Sequence, residues 1–107
     1  MNKACKVFTT RYASLEAYAL AAIEVLLEYY KDSNVINISK IQQATDKICG
    51  EPVGELARTV ARALSVVLEE LGIPSLNGYR KVFERKELER ARALLILRAL
   101  QSQTSLA

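Results

Sequence analysis

Apolar residues return every three or four positions along most of this chain, and four stretches carry that helical spacing. In the first, residues 14–31, Leu15, Ala19, Ala22, Ile23, Leu26 and Tyr30 form a stripe that Tyr12, Tyr18 and Leu27 widen. "KDSN", Lys31 to Asn34, breaks it. A short β-branched run with Val35, Ile36 and Ile38 then reads as a single strand. Ser39 is placed to cap a second helix over residues 40–49. There Ile41, Ala44 and Ile48 face inward, Lys40, Gln42, Gln43 and Lys47 face outward, and Gly50 closes the helix. The turn at residues 50–55 holds two glycines and a proline. A third helix runs from residue 53 or 54 to residue 71, apolar at Val60, Ala63, Leu64, Val67, Leu68 and Leu71, with Gly72 suited to a left-handed cap.

Residues 73–83 change character. Asn77-Gly78 is a strong hairpin signal, because a type I′ turn needs positive φ at both central residues. Pro74 confines the first arm to a sheet edge. The last helix spans residues 84–101, and "ALLILRAL", Ala93 to Leu100, is apolar almost all round. Residues 101–107 are small and polar and read as a frayed tail. The pattern predicts a mainly α fold with a small β-hairpin, in one domain over residues 1–107.

Composition removes several kinds of chemistry. The chain has no histidine, so Ser-His and Cys-His catalysis are excluded. Two cysteines cannot close a four-ligand zinc site. Glu69 and Glu70 are adjacent and point apart on a helix, and there is no glycine-rich phosphate loop. No enzyme activity, cofactor or metal is therefore expected. Cys49 reads as a small buried hydrophobe, the state of Cys5 stays open, and a reduced, cytoplasmic setting is the default. No apolar run is long enough to span a membrane, and Glu16 interrupts the only stretch that mimics a signal peptide.

Charge restores a possible role. Between Asn77 and Arg98, seven positive residues (Arg80, Lys81, Arg85, Lys86, Arg90, Arg92, Arg98) face three glutamates, a net of +4 that suits contact with phosphates. On the third helix, Glu55, Arg58, Thr59, Arg62 and Ser65 lie opposite the apolar side. The tyrosines Tyr12, Tyr18, Tyr29 and Tyr30 sit at helical spacing and read as core or interface, not as stacking platforms.

The stretch "TVARALSVVLEELGI", Thr59 to Ile73, resembles the recognition helix of winged helix-turn-helix regulators of bacteria and archaea. The match lies at Thr59, Val60, Arg62, Ala63, Leu64, Leu68, Glu69, Gly72 and Ile73, with one extra residue between Leu64 and Leu68. "NISKIQQAT", Asn37 to Thr45, resembles the entry into the preceding helix, so the likeness covers about residues 23–83. The turn at residues 50–55 is longer than is usual in that family, and the wing's first arm is short.

The resemblance implies a DNA-binding protein, a transcription regulator or chromatin-associated factor, that puts helix 54–71 into the major groove and a wing at residues 73–83 against the backbone. The DNA-contacting residues would be Arg58, Thr59, Arg62, Ser65, Arg80 and Lys81, with Lys40 and Gln43 on the supporting helix. The alternative is a winged-helix protein-interaction module that binds no nucleic acid. Glu51, Glu55, Glu69 and Glu70 favour it, as does a net charge of only +1 between Ser39 and Val82. The flanking helices, residues 12–31 and 84–101, offer more apolar surface than a core of this size needs, which predicts a homodimer with both at its centre.

Overall fold

The computed structural model describes residues 3–10, 12–51 and 53–106; Arg11, Pro52 of the predicted turn and Ala107 of the predicted tail lie outside them. The chain is mainly helical, with one two-stranded antiparallel sheet. A 3₁₀ segment, Lys3–Thr9, leads to α1, Leu15–Tyr29. Strand β1, Val35–Asn37, precedes α2, Ile41–Cys49, and α3 spans Ala57–Glu70. Strand β2, Val82–Glu84, runs directly into α4, Arg85–Leu106.

Helix α1 is the centre of the molecule. Ser14 caps its start, its hydroxyl accepting from the Ala17 amide at 3.1 Å. Tyr18, Ala19, Ala21, Ala22, Ile23, Val25, Leu26 and Leu27 are all buried, which accounts for a stripe wider than one face. The N-terminal 3₁₀ segment, α2, α3 and α4 all pack on it. The Tyr18 phenol donates to the Thr10 carbonyl, so the tyrosine's polar end is satisfied inside the core. Tyr12 differs from the predicted stripe: it is 94% exposed because it precedes the helix and never joins its face.

Helix α4 lies antiparallel to α1. Arg85, at its start, donates from Nε to the Ser33 carbonyl at 2.8 Å and from its guanidinium to the carbonyls of Leu27, at 3.0 Å, and Tyr30. Leu27 lies in the last turn of α1, and Tyr30 and Ser33 in the turn that follows it, so one cation both caps α1 and fastens α4. At the other end, Arg98 pairs with Glu16 at 2.9 Å. Leu88, Ala91 and Leu95 are buried against the core, while Ala93, Ile96, Leu97 and Leu100 stay exposed. The tail predicted at residues 101–107 is helical as far as Leu106, since no glycine or proline interrupts the chain after Gly78.

Three local expectations are corrected. Ser39 does not cap α2. Asn37 does the capping, one turn earlier: its Oδ1 accepts from the Ser39 amide at 3.0 Å and the Ser39 hydroxyl at 2.6 Å, starting a 3₁₀ turn, Ile38–Lys40, that feeds α2. The Asn77-Gly78 turn forms, with φ of 52° and 77°. The arms it joins, however, meet only at the Leu76–Tyr79 bridge and a Leu76 N to Val82 O bond. β2 pairs instead with the distant β1, in the register Val35–Glu84, Ile36–Phe83 and Asn37–Val82. Pro74 lacks the N–H that a longer first arm would need, so β1 supplies the ladder.

The third correction concerns the cysteines. Cys5 and Cys49 form a disulfide that ties the N-terminal 3₁₀ segment to the end of α2. Cys49 is therefore a crosslink and not merely a small apolar residue, and the expectation of reduced thiols does not hold. The cause is tertiary: α1 carries both segments on its surface and brings two cysteines 44 positions apart to a Cα separation of 5.7 Å. Among the described residues, no helix is long and apolar enough to cross a membrane.

Candidate nucleic-acid interface

Helix α3 divides into two faces. Val60, Ala63, Leu64, Val67 and Leu68 are buried against α1 and its neighbours, fixing the helix in rotation. Arg58, Thr59, Arg62, Ser65 and Glu69 occupy the opposite, exposed face. A 3₁₀ turn, Gly54–Leu56, leads into the helix, so Arg58 and Thr59 stand in its first turn. There the positive end of the helix dipole also favours an anion.

The helix ends in a glycine-capped motif. Gly72 takes a φ of 70°, its amide donates to Glu69 O at 3.0 Å, and the Ile73 amide donates to Leu68 O at 3.0 Å. This pair of bonds reverses the chain and sets the Ile73 side chain beside Leu68. Ile73, Leu68 and Phe83 then floor a groove of about 430 Å³ between α3 and the segment that follows it. Its rim carries Ser65 and Glu69 from α3, and Ser75, Arg80 and Lys81 from the hairpin. The position of Lys81 is held from behind, because its carbonyl accepts from the Ile38 amide at 2.8 Å, extending the sheet by one bond.

Thus six of the eight predicted contact residues fall on adjoining ground. Arg58, Thr59, Arg62 and Ser65 share one helix face, and Ser65 meets Arg80 and Lys81 at the groove. Lys40, at the end of the 3₁₀ turn, and Gln43, on α2, are exposed and do not line the groove.

Several cations of the basic run bond within the chain. Lys86 pairs with Glu84 at 3.7 Å, Arg90 with Glu87 at 2.8 Å, and Arg98 with Glu16, while Arg85 caps α1. Four of the seven positive charges between Asn77 and Arg98 therefore serve the fold. Arg58, Arg62, Arg80 and Lys81 form no ion pair among the described residues, and neither do Lys3, Lys6, Lys31, Lys40, Lys47 and Arg92. Glu55 does not pair with Arg58 although three positions separate them, and Glu69 shares the groove with Arg80 and Lys81 without pairing to either. Arg85 is the residue that sequence reasoning misplaced: an arginine that caps a helix looks, in one dimension, like any other in a basic run.

Two further features lie away from this face. A water-sized cavity of about 40 Å³ sits beside the disulfide, next to Phe8 and Thr45. Burial raises the Tyr30 phenol above its ordinary range, with Tyr29 adding to the effect and a backbone hydrogen bond at Asn37 opposing it. Among the described residues, no cluster of side chains is suited to hold a metal ion. No known protein family, curated protein or solved structure matches the chain.

Proposed function

We propose that the chain is a winged-helix DNA-binding protein, a transcription regulator or chromatin-associated factor, that acts by binding and carries out no catalysis. The observation that carries the reading is the placement of four exposed cations, Arg58, Arg62, Arg80 and Lys81, on one helix face and the adjoining hairpin. The element order supports it too: helix, strand, helix, helix, a tight turn and a strand that returns to the first. In this reading α3 enters the major groove, with Arg62 and Arg58 offering paired donors to guanine or phosphate. The hairpin holds the backbone through Arg80 and Lys81, and Lys40 and Gln43 touch phosphates from the supporting helix.

Two copies act together. The exposed α4 stripe is self-complementary: an antiparallel pair centred between Ile96 and Leu97 sets Ala93 against Leu100, small against large. Of the first helix, Tyr18, Leu26 and Leu27 are buried within their own chain, which leaves Leu15 and the preceding Tyr12 exposed to contribute.

Glu69 favours a second reading, a protein-interaction module, since a carboxylate in the groove opposes phosphate and would attract a basic partner. Replacing Arg62 and Lys47 one at a time by alanine tests the DNA reading. Arg62→Ala is expected to weaken duplex binding by about 1–3 kcal/mol in an anisotropy titration, and Lys47→Ala by much less. Equal or absent effects in two folded variants would favour the second reading.

A further inference from the structure

Between Thr45 and Val60 no described residue is fully buried. This stretch carries the chain from the end of α2 into α3, and it ends on Arg58 and Thr59 of the candidate face. Its backbone is lightly held. Gly50 and Gly54 both take positive φ, and neither Val53 nor Leu56, at the two helical starts, makes a side-chain cap. Ile48, Cys49, Val53 and Leu56 pack on the core only in part. The covalent anchor of the stretch is Cys49, tied through Cys5 to the N-terminal 3₁₀ segment. That segment is longer than 3₁₀ runs usually sustain, so it keeps its shape by packing on α1. Phe8 and Thr9 of the segment and Glu51 and Val53 of the stretch line one water-sized cavity beside the disulfide. The two sulfurs are unequally placed. Cys5 is 3% exposed, whereas Cys49 is half-buried, so an incoming thiolate reaches the Cys49 side first.

We propose that the Cys5–Cys49 bond is a redox latch on the start of α3, opened by a dithiol reductant. One thiolate of the dithiol attacks Cys49 Sγ. A mixed disulfide forms, the Cys5–Cys49 bond breaks, and Cys5 leaves as a thiolate. The second thiolate of the dithiol then attacks the dithiol sulfur bound to Cys49, closing the reductant's own disulfide and releasing Cys49. The protein gains two electrons, the dithiol loses them, and its two protons end on the cysteines. With the latch open, the N-terminal segment and residues 46–59 lose their shared anchor, and segments with few buried apolar groups open locally at little cost. The rest of α3 stays in place, because Val60, Ala63, Leu64, Val67 and Leu68 remain packed inside. Arg58 and Thr59 are then ordered for only part of the time, and apparent duplex affinity falls by that fraction. The latch stands without the DNA reading, whereas its effect on duplex binding rests on it.

The test compares the full chain oxidised, treated with excess dithiothreitol, and carrying Cys5→Ser with Cys49→Ser. Iodoacetamide is expected to label both cysteines after dithiothreitol without any denaturant, as read by mass. Hydrogen exchange should quicken by at least about tenfold at residues 3–10 and 46–59, while residues 63–70 stay protected. The double variant should show the same pattern and not respond to dithiothreitol. Cysteines labelled only in denaturant would overturn the latch. So would a reduced chain or double variant that exchanges like the oxidised chain at residues 46–59, or one that unfolds throughout. Duplex affinity is measured separately, and reduction is expected to weaken it by at least about threefold. Unchanged affinity beside a loosened α3 start would sink the control of binding. Duplex bound by neither form would sink the DNA reading, and the exchange result would then decide the latch alone.

Discussion

Helices α1 and α4 carry nearly the same message in sequence and meet opposite fates. Both are apolar beyond a single stripe, and both therefore need cover on more than one side. Helix α1 finds that cover inside its own chain, under the N-terminal 3₁₀ segment, α2, α3 and α4. On helix α4, among the described residues, the side bearing Leu88, Ala91 and Leu95 is buried, while Leu97 on the other side is 50% exposed. Apolar periodicity states how much of a helix must be covered. What covers it is decided by the elements that precede and follow, and these are read only in three dimensions.

The strongest break of this contrast acts on the cover over α1. The Cys5–Cys49 bond closes 44 residues of chain, and a crosslink of that length contributes about 4 kcal/mol in the chain-entropy account. Replacing both cysteines by serine should lower stability by up to that amount in denaturant unfolding. Exchange protection should be lost first in the N-terminal segment and along α1, with α4 little affected.

Next, Leu26→Ala empties a fully buried site and should cost about 2–5 kcal/mol. Leu97→Glu should change the stability of the single chain by only about 0.5 kcal/mol. Its effect should appear in light scattering instead, as a shift from a dimer to the 11.9 kDa chain. A Leu97→Glu protein that unfolds, or a parent protein already at the single-chain mass, would contradict the assignment of the α4 face.

A smaller effect is expected where the two helices are joined. Arg85→Met keeps the aliphatic stem but removes the bonds to the Leu27, Tyr30 and Ser33 carbonyls, at a cost of about 2 kcal/mol. Amide exchange should quicken at the start of α4 and leave the middle of α1 protected. Uniform loss of protection would mean that α1 depends on α4 more than the packing suggests.

Much of the fold is legible along the chain because it is written in local chemistry. Ser14 caps α1 within a residue of the expected start, and Gly50 and Gly72 take the left-handed conformation expected of them. Asn77 and Gly78 take the positive φ values of the turn. The parts that were not legible depend on distant partners. The pairing of β2 with β1, the capping role of Arg85 and the Cys5–Cys49 bond each join segments more than 40 positions apart. The candidate site divides in the same way. The face bearing Arg58, Thr59, Arg62 and Ser65 follows from helical spacing, whereas its junction with Arg80 and Lys81 required the turn after Gly72. The α4 extension to Leu106 had a signal, the absence of any helix breaker after Gly78, that the small polar residues at the end obscured.

The central claim is that Arg58, Arg62, Arg80 and Lys81 meet phosphates of duplex DNA, and salt dependence tests it most directly. Four neutralised phosphates give a slope of log affinity against log salt near −3.6, which is about a 150-fold loss between about 50 and 200 mM salt. Replacing Arg80 and Lys81 together by alanine should reduce the slope by about 2 units, with an unchanged melting temperature. A random duplex bound with that slope, flattened by that double variant, is the result expected. Affinity that does not change with salt, or a slope the variant leaves intact, would contradict it.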